Sequence, residues 1–161
     1  MPDSRHRRAH READPTPEGE ALYELMVQLP RLYSQLQTSA RRGKGSANWG
    51  GGLWGLLRTL KLDGSRTVPQ IARARDVARQ RIQSLVDEAA AAGLVDLREN
   101  PDHRRSRIVV LTAKGGATFE ALDTRIRHTA EGLAESMDIR DLDAALRVMF
   151  DLSERLRRGR S

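Results

Sequence analysis

The sequence predicts a mainly helical fold that carries one small β-hairpin. Apolar residues recur every three or four positions through most of the chain, which is typical of amphipathic helices. The exception lies between Val95 and Leu111, where two short runs containing β-branched residues flank a polar turn with Pro101. Two short helices are predicted directly before this hairpin. A helix-turn-helix followed by a hairpin is a winged helix-turn-helix, and we predict that fold here.

A first helix is predicted after an N-terminal arm. Residues 1–15 contain four arginines and no apolar periodicity, as expected of a disordered basic segment. Thr16 and Pro17 then open a helix whose leucines repeat every three or four residues. Pro30, in its middle, is expected to kink the helix or interrupt its hydrogen bonding. A polar connection ends this segment, so residues 16–46 are predicted to form an N-terminal helix and a linker.

Either the segment around Gly50–Gly52 is mobile, or the second helix begins only near Leu53. Three consecutive glycines, Gly50–Gly52, stand just before it, and each costs about 1 kcal/mol relative to alanine inside a helix. Leucines at 53, 56, 57 and 60 then give a helical apolar face. The pair Asp63-Gly64 is expected to end the helix.

The helix-turn-helix itself is predicted between Thr67 and Gly93. Thr67 and Gln70 have the spacing of a capping box, and Pro69 lies in the first turn. After a break near residues 75–76, a second helix places four apolar residues on one face: Ile82, Leu85, Val86 and Ala89. Gly93 is expected to end this helix as a left-handed C′ residue.

The distribution of charge points to a polyanionic partner. The chain has 28 Lys and Arg against 22 Asp and Glu, a net charge of +6. A basic composition alone can serve only solubility, so the clustering of the charges decides. Residues 66–81 contain five arginines and a single acid, Asp76. This cluster coincides with the predicted helix-turn-helix.

Other classes of function find no support in the residues. The chain has no cysteine and four histidines, and no set of a nucleophile with a base, paired carboxylates or metal ligands stands out. We therefore expect neither an enzyme, nor a cofactor, nor a metal site. No signal peptide or long apolar run is present in the sequence, so we expect a cytoplasmic protein without a membrane segment.

Four short segments around the helix-turn-helix form a recognisable pattern. They are Val77–Ile82, Ala92–Val95, Leu111–Gly115 and the wing, where Asp102, Arg104 and Arg107 follow the spacing Asp-x-Arg-x-x-Arg. In this combination the chain resembles the MarR family of bacterial transcription regulators. One departure is Ala78, which occupies a position where relatives often carry a serine or threonine cap.

The resemblance implies a homodimer that binds palindromic double-stranded DNA, most often as a repressor released by a small, often aromatic, ligand. It also implies an organisation beyond the arm: an N-terminal dimerisation helix and linker (16–46), a DNA-binding lobe (47–112) and C-terminal dimerisation helices (113–161). Thr112 and Asp138 are expected to cap the last two helices. The alternative is a winged-helix module that contacts protein or RNA without operator specificity.

Candidate DNA-contacting residues follow from their position and chemistry. Arginine suits guanine and glutamine suits adenine, so Arg79, Gln80 and Gln83 are candidates for base edges. Arg81 and Ser84 are better placed as phosphate contacts. At the wing tip, arginine can enter a narrow minor groove, with Asp102 as orienting partner of Arg104 or Arg107. The complete predicted DNA-binding set is Arg73, Arg79, Gln80, Arg81, Gln83, Ser84, Asp102, His103, Arg104, Arg105 and Arg107.

Three aromatic residues are candidates for a ligand site. In proteins of the family that the chain resembles, small anions bind between the dimer helices and the DNA-binding lobe, where Tyr33, Trp49 and Trp54 are expected. The alternative is that Trp54 anchors the core and Trp49 is a loop residue. Because the chain lacks cysteine, a sensor role would depend on small-molecule binding rather than on thiol oxidation.

Overall fold

The structure, a computed structural model, describes residues 16–42, 52–101 and 106–159. The elements in these ranges are α1 (Pro17–Arg42), α2 (Leu53–Asp63), β1 (Arg66–Thr67), α3 (Val68–Ala74), α4 (Arg79–Ala91), β2 (Val95–Arg98), β3 (Ile108–Leu111), α5 (Ala113–Ala134) and α6 (Ile139–Arg158). The prediction of a mainly helical fold with a small hairpin is confirmed. The N-terminal arm, 1–15, lies outside the described residues.

The chain divides into two compact units, Met1–Ser46 and Ala47–Ser161. In the first unit, α1 runs for 26 residues. Thr16 caps it as predicted, since Thr16 Oγ1 accepts a hydrogen bond from the Gly19 N–H at 3.1 Å. The helix continues through Pro30 to Arg42, and a kink at Pro30 stays a prediction. A proline removes one backbone donor, whereas the turns on either side keep theirs.

The core of the second unit lies between α2, α4 and the sheet. Its buried apolar residues are Leu56, Leu57, Leu60, Val68, Ile71, Ala72, Ile82, Leu85, Val86, Ala89, Leu94, Val95, Val109 and Phe119. The apolar faces predicted for α2 and α4 supply most of these side chains. Burial of this set orients α4, because its four core residues leave only the opposite face for solvent.

The sheet has three antiparallel strands in the order β1-β3-β2. In the hairpin, Val95 pairs with Leu111 and Arg98 pairs with Ile108. The third strand, β1, was not predicted from the sequence, because two residues are too short for a periodic pattern. Its Thr67 pairs with Ile108 and also stands at the N-cap of α3. One residue therefore connects the wing to the first helix of the helix-turn-helix.

Local hydrogen bonds mark the start of α3 and the end of α4, at the positions that were predicted from the sequence. At the start of α3 the capping box forms, and the Thr67 N–H donates to Gln70 Oε1 at 2.8 Å. At the end of α4, Gly93 has a φ of +69°. The Gly93 N–H donates to the Ala90 oxygen at 2.9 Å, and the Leu94 N–H donates to the Ala89 oxygen at 2.8 Å. This pair of bonds is a Schellman motif, which turns the chain directly into β2.

The end of α4 is joined to the start of α5 by side-chain and backbone contacts. The Thr112 N–H donates to the Leu94 oxygen at 3.1 Å, and its hydroxyl lies 2.9 Å from the Gly93 oxygen. Lys114 Nζ donates to the Ala92 oxygen at 2.7 Å. The positive charge of Lys114 is also favourable at this place, because the C-terminus of a helix carries a partial negative charge. Gly115 packs its Cα against the Leu94 carbonyl. We call this set the α4–α5 junction.

The α4–α5 junction predicts that alanine substitutions at two adjacent glycines change the stability of the protein by very different amounts. In Gly115→Ala the new Cβ would overlap the Leu94 carbonyl oxygen and lie 2.8 Å from Leu111 Cδ1, so backbone would have to move. We expect a loss of about 3 kcal/mol of unfolding free energy, the upper end of the usual range for overpacking, measured by chemical denaturation.

The matched control is Gly116→Ala, since nothing lies within 4 Å of a Cβ built there. This substitution should be neutral or stabilise by up to about 1 kcal/mol through helix propensity. Equal stability of the two variants would contradict the close packing of Gly115.

Candidate nucleic-acid interface

The polar face of α4 is the centre of the candidate interface. Arg79, Gln80, Gln83 and Ser84 are all exposed in the first half of this helix. They face outward because Ile82, at 0 % exposure, and its buried neighbours occupy the other side. Side chains near the N-terminus of a second helix in a helix-turn-helix are those that reach base edges.

A groove between α3, α4 and the wing brings part of the predicted set together. Its lining residues are Val68, Pro69, Arg79, Gln83, Leu97, Ser106 and Arg107. Three of them, Arg79, Gln83 and Arg107, were predicted as DNA-binding residues, although they come from separate parts of the chain. Arg73, Gln80, Arg81 and Ser84 are exposed on the same helix-turn-helix but do not line this groove.

The base of the wing is held by an arginine. Arg107 Nη2 donates to the Leu97 oxygen at 2.7 Å, which joins the two strands where the hairpin leaves the sheet. Sequence reasoning assigned Arg107 to DNA and to Asp102, and missed this backbone contact, which no sequence pattern marks. The predicted tip residues Asp102, His103, Arg104 and Arg105 lie outside the described residues.

The arginines of the helix-turn-helix differ from those of the C-terminal helices. Among the described residues, Arg73, Arg79 and Arg81 make no ion pair. By contrast, α5 and α6 contain the pairs Arg127–Asp123, Arg140–Asp138, Arg155–Asp151, Arg157–Glu154 and Arg158–Glu154, at 2.6–3.7 Å. In the described part of the chain, the exposed arginines of the predicted helix-turn-helix interface thus include three without a carboxylate partner, whereas most arginines of α5 and α6 are paired, Arg125 and Arg147 being the exceptions on those two helices.

In one of these pairs, Arg140–Asp138, the arginine changes the pKa of the carboxyl group. The hydrogen bond from the Arg140 side chain lowers the pKa of the Asp138 carboxyl, and the Arg140 N–H, at 2.8 Å from Asp138 Oδ1, acts in the same direction. Asp138 is the N-cap of α6, as predicted. Its charge is therefore used locally in the helix cap.

Two polar side chains of α4 are engaged within their own helix. Ser84 Oγ donates to the Gln80 oxygen at 3.2 Å, so its proton points to the backbone rather than outward. Gln83 Nε2 donates to Asp87 Oδ1 at 2.8 Å. At the N-cap of α4, Ala78 supplies no side-chain hydrogen bond. Ser84 can offer a lone pair as it stands, but would have to rotate to donate to a phosphate.

The three aromatic residues named as ligand candidates have different positions. Tyr33 is 50 % exposed on α1, in the first unit. Trp54 packs against the core of the second unit, and Arg58 Cζ lies 5.7 Å from its ring centroid. Trp54 Nε1 is buried and has no hydrogen-bond partner among the described residues. Trp49 lies outside the described residues, so a shared pocket stays a prediction.

Within the described ranges, no helix is both long enough and apolar enough to span a membrane. In the same part of the chain, no group of three or more histidine, aspartate or glutamate side chains is arranged to hold a metal ion.

Comparison with known proteins gives consistent matches. A family model for the MarR family matches residues 54–106, which include nearly all of α2, the helix-turn-helix and β2 but not β3. The protein Rv2011c of Mycobacterium tuberculosis strain H37Rv, itself uncharacterized, is 36 % identical over 118 residues, 73 % of this chain and 76 % of the relative.

Solved structures share the fold. The MarR family transcription regulator SP03579 is 26 % identical, with a TM-score of 0.70 over 86 % of this chain and 92 % of its own. BldR of Sulfolobus solfataricus, a transcriptional regulator, is 21 % identical, with a TM-score of 0.70 over 84 % and 98 %. BpsR of Bordetella bronchiseptica, whose DNA binding is regulated by 6-hydroxynicotinic acid, is 16 % identical, with a TM-score of 0.66 over 83 % and 98 %.

Proposed function

The chain belongs to the MarR family of transcription regulators, and we propose that it is a homodimeric repressor that binds palindromic double-stranded DNA. Proteins of this family are DNA-binding regulators rather than enzymes, which agrees with the class predicted from the sequence. The observation that carries the proposal is that Arg73, Arg79 and Arg81, exposed on the helix-turn-helix, make no ion pair with any described residue. Since its target is the genome, we place the protein in the cytoplasm.

In the proposed complex, α4 enters the major groove with its polar face toward the bases. Arg79 would donate to guanine O6 and N7, and Gln83 would face the adjacent base. Arg73 and Arg81 would contact phosphates, and the wing would reach the neighbouring minor groove. A two-fold dimer presents two copies of α4, so the half-sites should lie roughly 10 bp apart, one helical turn.

The apolar face of α6 supports the dimer. Leu146 is 50 %, Met149 56 % and Phe150 70 % exposed, although the helix is strongly amphipathic. None of the residues of α6 is buried within the chain. A contiguous apolar face of this kind needs a partner, and a two-fold arrangement lets each copy cover the other.

Regulation by a small aromatic anion is the further part of the proposal. The fold shared with BpsR, whose DNA binding is regulated by 6-hydroxynicotinic acid, supports a ligand of that chemical class. A ligand releases DNA only if it binds the DNA-incompetent state more tightly than the competent one. Trp54, partly exposed beside Arg58, is the described residue that best combines an aromatic face with a cation.

The second candidate function is a winged-helix module that contacts protein or RNA. The same basic face would serve such a partner, so charge alone does not separate the two. The side chains of α4 do: Arg79 and Gln83 line one groove and have the donor and acceptor groups that read bases in a major groove.

The first test of the function separates base reading from charge. Arg79→Ala should weaken binding to the selected palindrome by about 1–3 kcal/mol and relax preference at one symmetric pair of bases. Arg81→Ala should weaken palindrome and random duplex alike and reduce the slope of log affinity against log salt by about 1. Titrations at several salt concentrations measure both.

Arg157→Ala is the control for charge, because its guanidinium already contacts Glu154 at 2.7 Å on α6. It should change neither the preference nor the slope. If Arg79→Ala lowers affinity for random DNA as much as for the palindrome, the base-reading role is wrong. If single-stranded RNA competes as well as the palindrome, the second candidate function is the correct one.

The dimer is tested by placing a charge on the apolar face of α6. Leu146→Glu should convert the dimer to a monomer in sedimentation experiments, because a buried unpaired carboxylate is costly. Arg147→Glu introduces the same carboxylate at the neighbouring, polar position and should leave the dimer intact. Dissociation of both variants, or of neither, would contradict an α6 interface.

The ligand proposal is tested by tryptophan fluorescence with a panel of aromatic carboxylates that includes 6-hydroxynicotinic acid. Binding should change the emission over the same concentration range that releases the palindrome. Trp54→Phe separates the two tryptophans of the chain, and we expect it to remove most of the signal. Quenching without DNA release, or no response across the panel, would reject an effector of this class.

A further inference from the structure

Asp87 is an unexpected residue on the face that we assign to DNA. It lies one helical turn beyond Gln83 on α4, and its side chain is exposed. The spacing of the helix places it on the same face as the other polar side chains. A carboxylate here faces the phosphates of a bound duplex and opposes general DNA affinity. Its contact with Gln83 suggests what it contributes instead.

The contact determines which end of the Gln83 amide is free. Gln83 Nε2 lies 2.8 Å from Asp87 Oδ1, at the i, i+4 spacing of a helix. An ionised carboxylate only accepts hydrogen bonds, so the amide group directed at it must be the nitrogen. The amide oxygen, Oε1, is then directed away from Asp87 and can accept from another partner, and Nε2 keeps its second N–H.

We propose that Asp87 is a positioning residue that makes Gln83 a hydrogen-bond acceptor toward the DNA, and so selects a base with an exocyclic amine. In the major groove, adenine N6 and cytosine N4 are donors, whereas guanine O6 and thymine O4 are acceptors. An amide held by Asp87 offers its oxygen to the first pair, and adenine N7 can in addition accept from the second N–H of Nε2. Without Asp87 the amide can turn and donate to guanine or thymine instead. This inference rests on the proposed function of the protein as a DNA reader.

The groove around Gln83 also contains arginines that can contact a second base. Arg79 and Arg107 line the same groove as Gln83, and a guanidinium can only donate. Arg79 therefore suits a guanine, while the oriented Gln83 suits an adenine or cytosine. Each half-site should contain an amino base, read by Gln83, close to the guanine read by Arg79.

The experiment is a selection from a random double-stranded DNA library at one salt concentration. It uses the full chain as wild type, Asp87→Asn and Glu88→Gln, followed by sequencing and titration of the selected duplexes. Asparagine keeps the size of Asp87 but can donate as well as accept, so the Gln83 amide loses its fixed orientation. Glu88→Gln removes one negative charge from the next residue of α4, which makes no described contact with Gln83.

The wild type should prefer adenine or cytosine over guanine or thymine by about tenfold at one symmetric pair of positions. In Asp87→Asn this ratio should fall to about threefold or less, with other positions unchanged and affinity for random duplex equal or higher. Glu88→Gln should keep the wild-type ratio. Asp87→Glu, which retains a carboxylate at the same helical spacing, should restore most of it.

Identical preferences for wild type and Asp87→Asn would overturn the inference and reduce the pair to a surface contact. A uniform loss of affinity over all sequences in Asp87→Asn would do the same, because a positioning role changes the ratio. If the wild type itself selects no sequence, the proposed function fails and this inference with it. The two failures are thus distinguished within one experiment.

Discussion

The close contact between Gly115 and the Leu94 carbonyl is the constraint on which the arrangement of the second unit depends. It brings the start of α5 against the end of α4 more closely than any side chain would allow. Thr112 and Lys114 then bond the carbonyls that the end of α4 leaves without helical partners. The helix that reads DNA in our proposal is therefore fixed directly to α5.

The position of the wing beside the helix-turn-helix also depends on the contacts of a few residues. Thr67 belongs both to β1, which pairs with β3, and to the cap of α3. On the other edge of the hairpin, Arg107 bonds the Leu97 carbonyl. The groove lined by Arg79, Gln83 and Arg107 exists because these connections hold the wing beside α4. Specific recognition requires such a fixed relation, since base contacts depend on geometry to within fractions of an ångström.

The arginines of α5 and α6 differ from those of the helix-turn-helix in whether they form ion pairs. On α5 and α6, arginines are mostly paired with acids one helical turn away, which stabilises an exposed helix only slightly. On the helix-turn-helix, Arg73, Arg79 and Arg81 make no such ion pair within the described part of the chain. A pI of about 10.6 hides this difference. The pairing pattern, rather than the total charge, identifies the face that suits a polyanion.

The amino-acid sequence by itself determined the helices, the hairpin and the inward faces of α2 and α4, because these follow from periodicity, caps and glycine positions within a few residues of one another. Thr16, Thr67, Gly93, Thr112 and Asp138 mark helix ends through local hydrogen bonds, and all five do so in the structure. Tertiary structure alone decided the strand β1, the Arg107–Leu97 contact and the close approach at Gly115, since each needs a partner distant in sequence. The Gln83–Asp87 contact is local, four residues apart on one helix, but the tertiary structure decided that this pair lies on the exposed face of α4, because the buried face orients the helix. Short-range patterns contain no information about such choices, which depend on packing around the whole core.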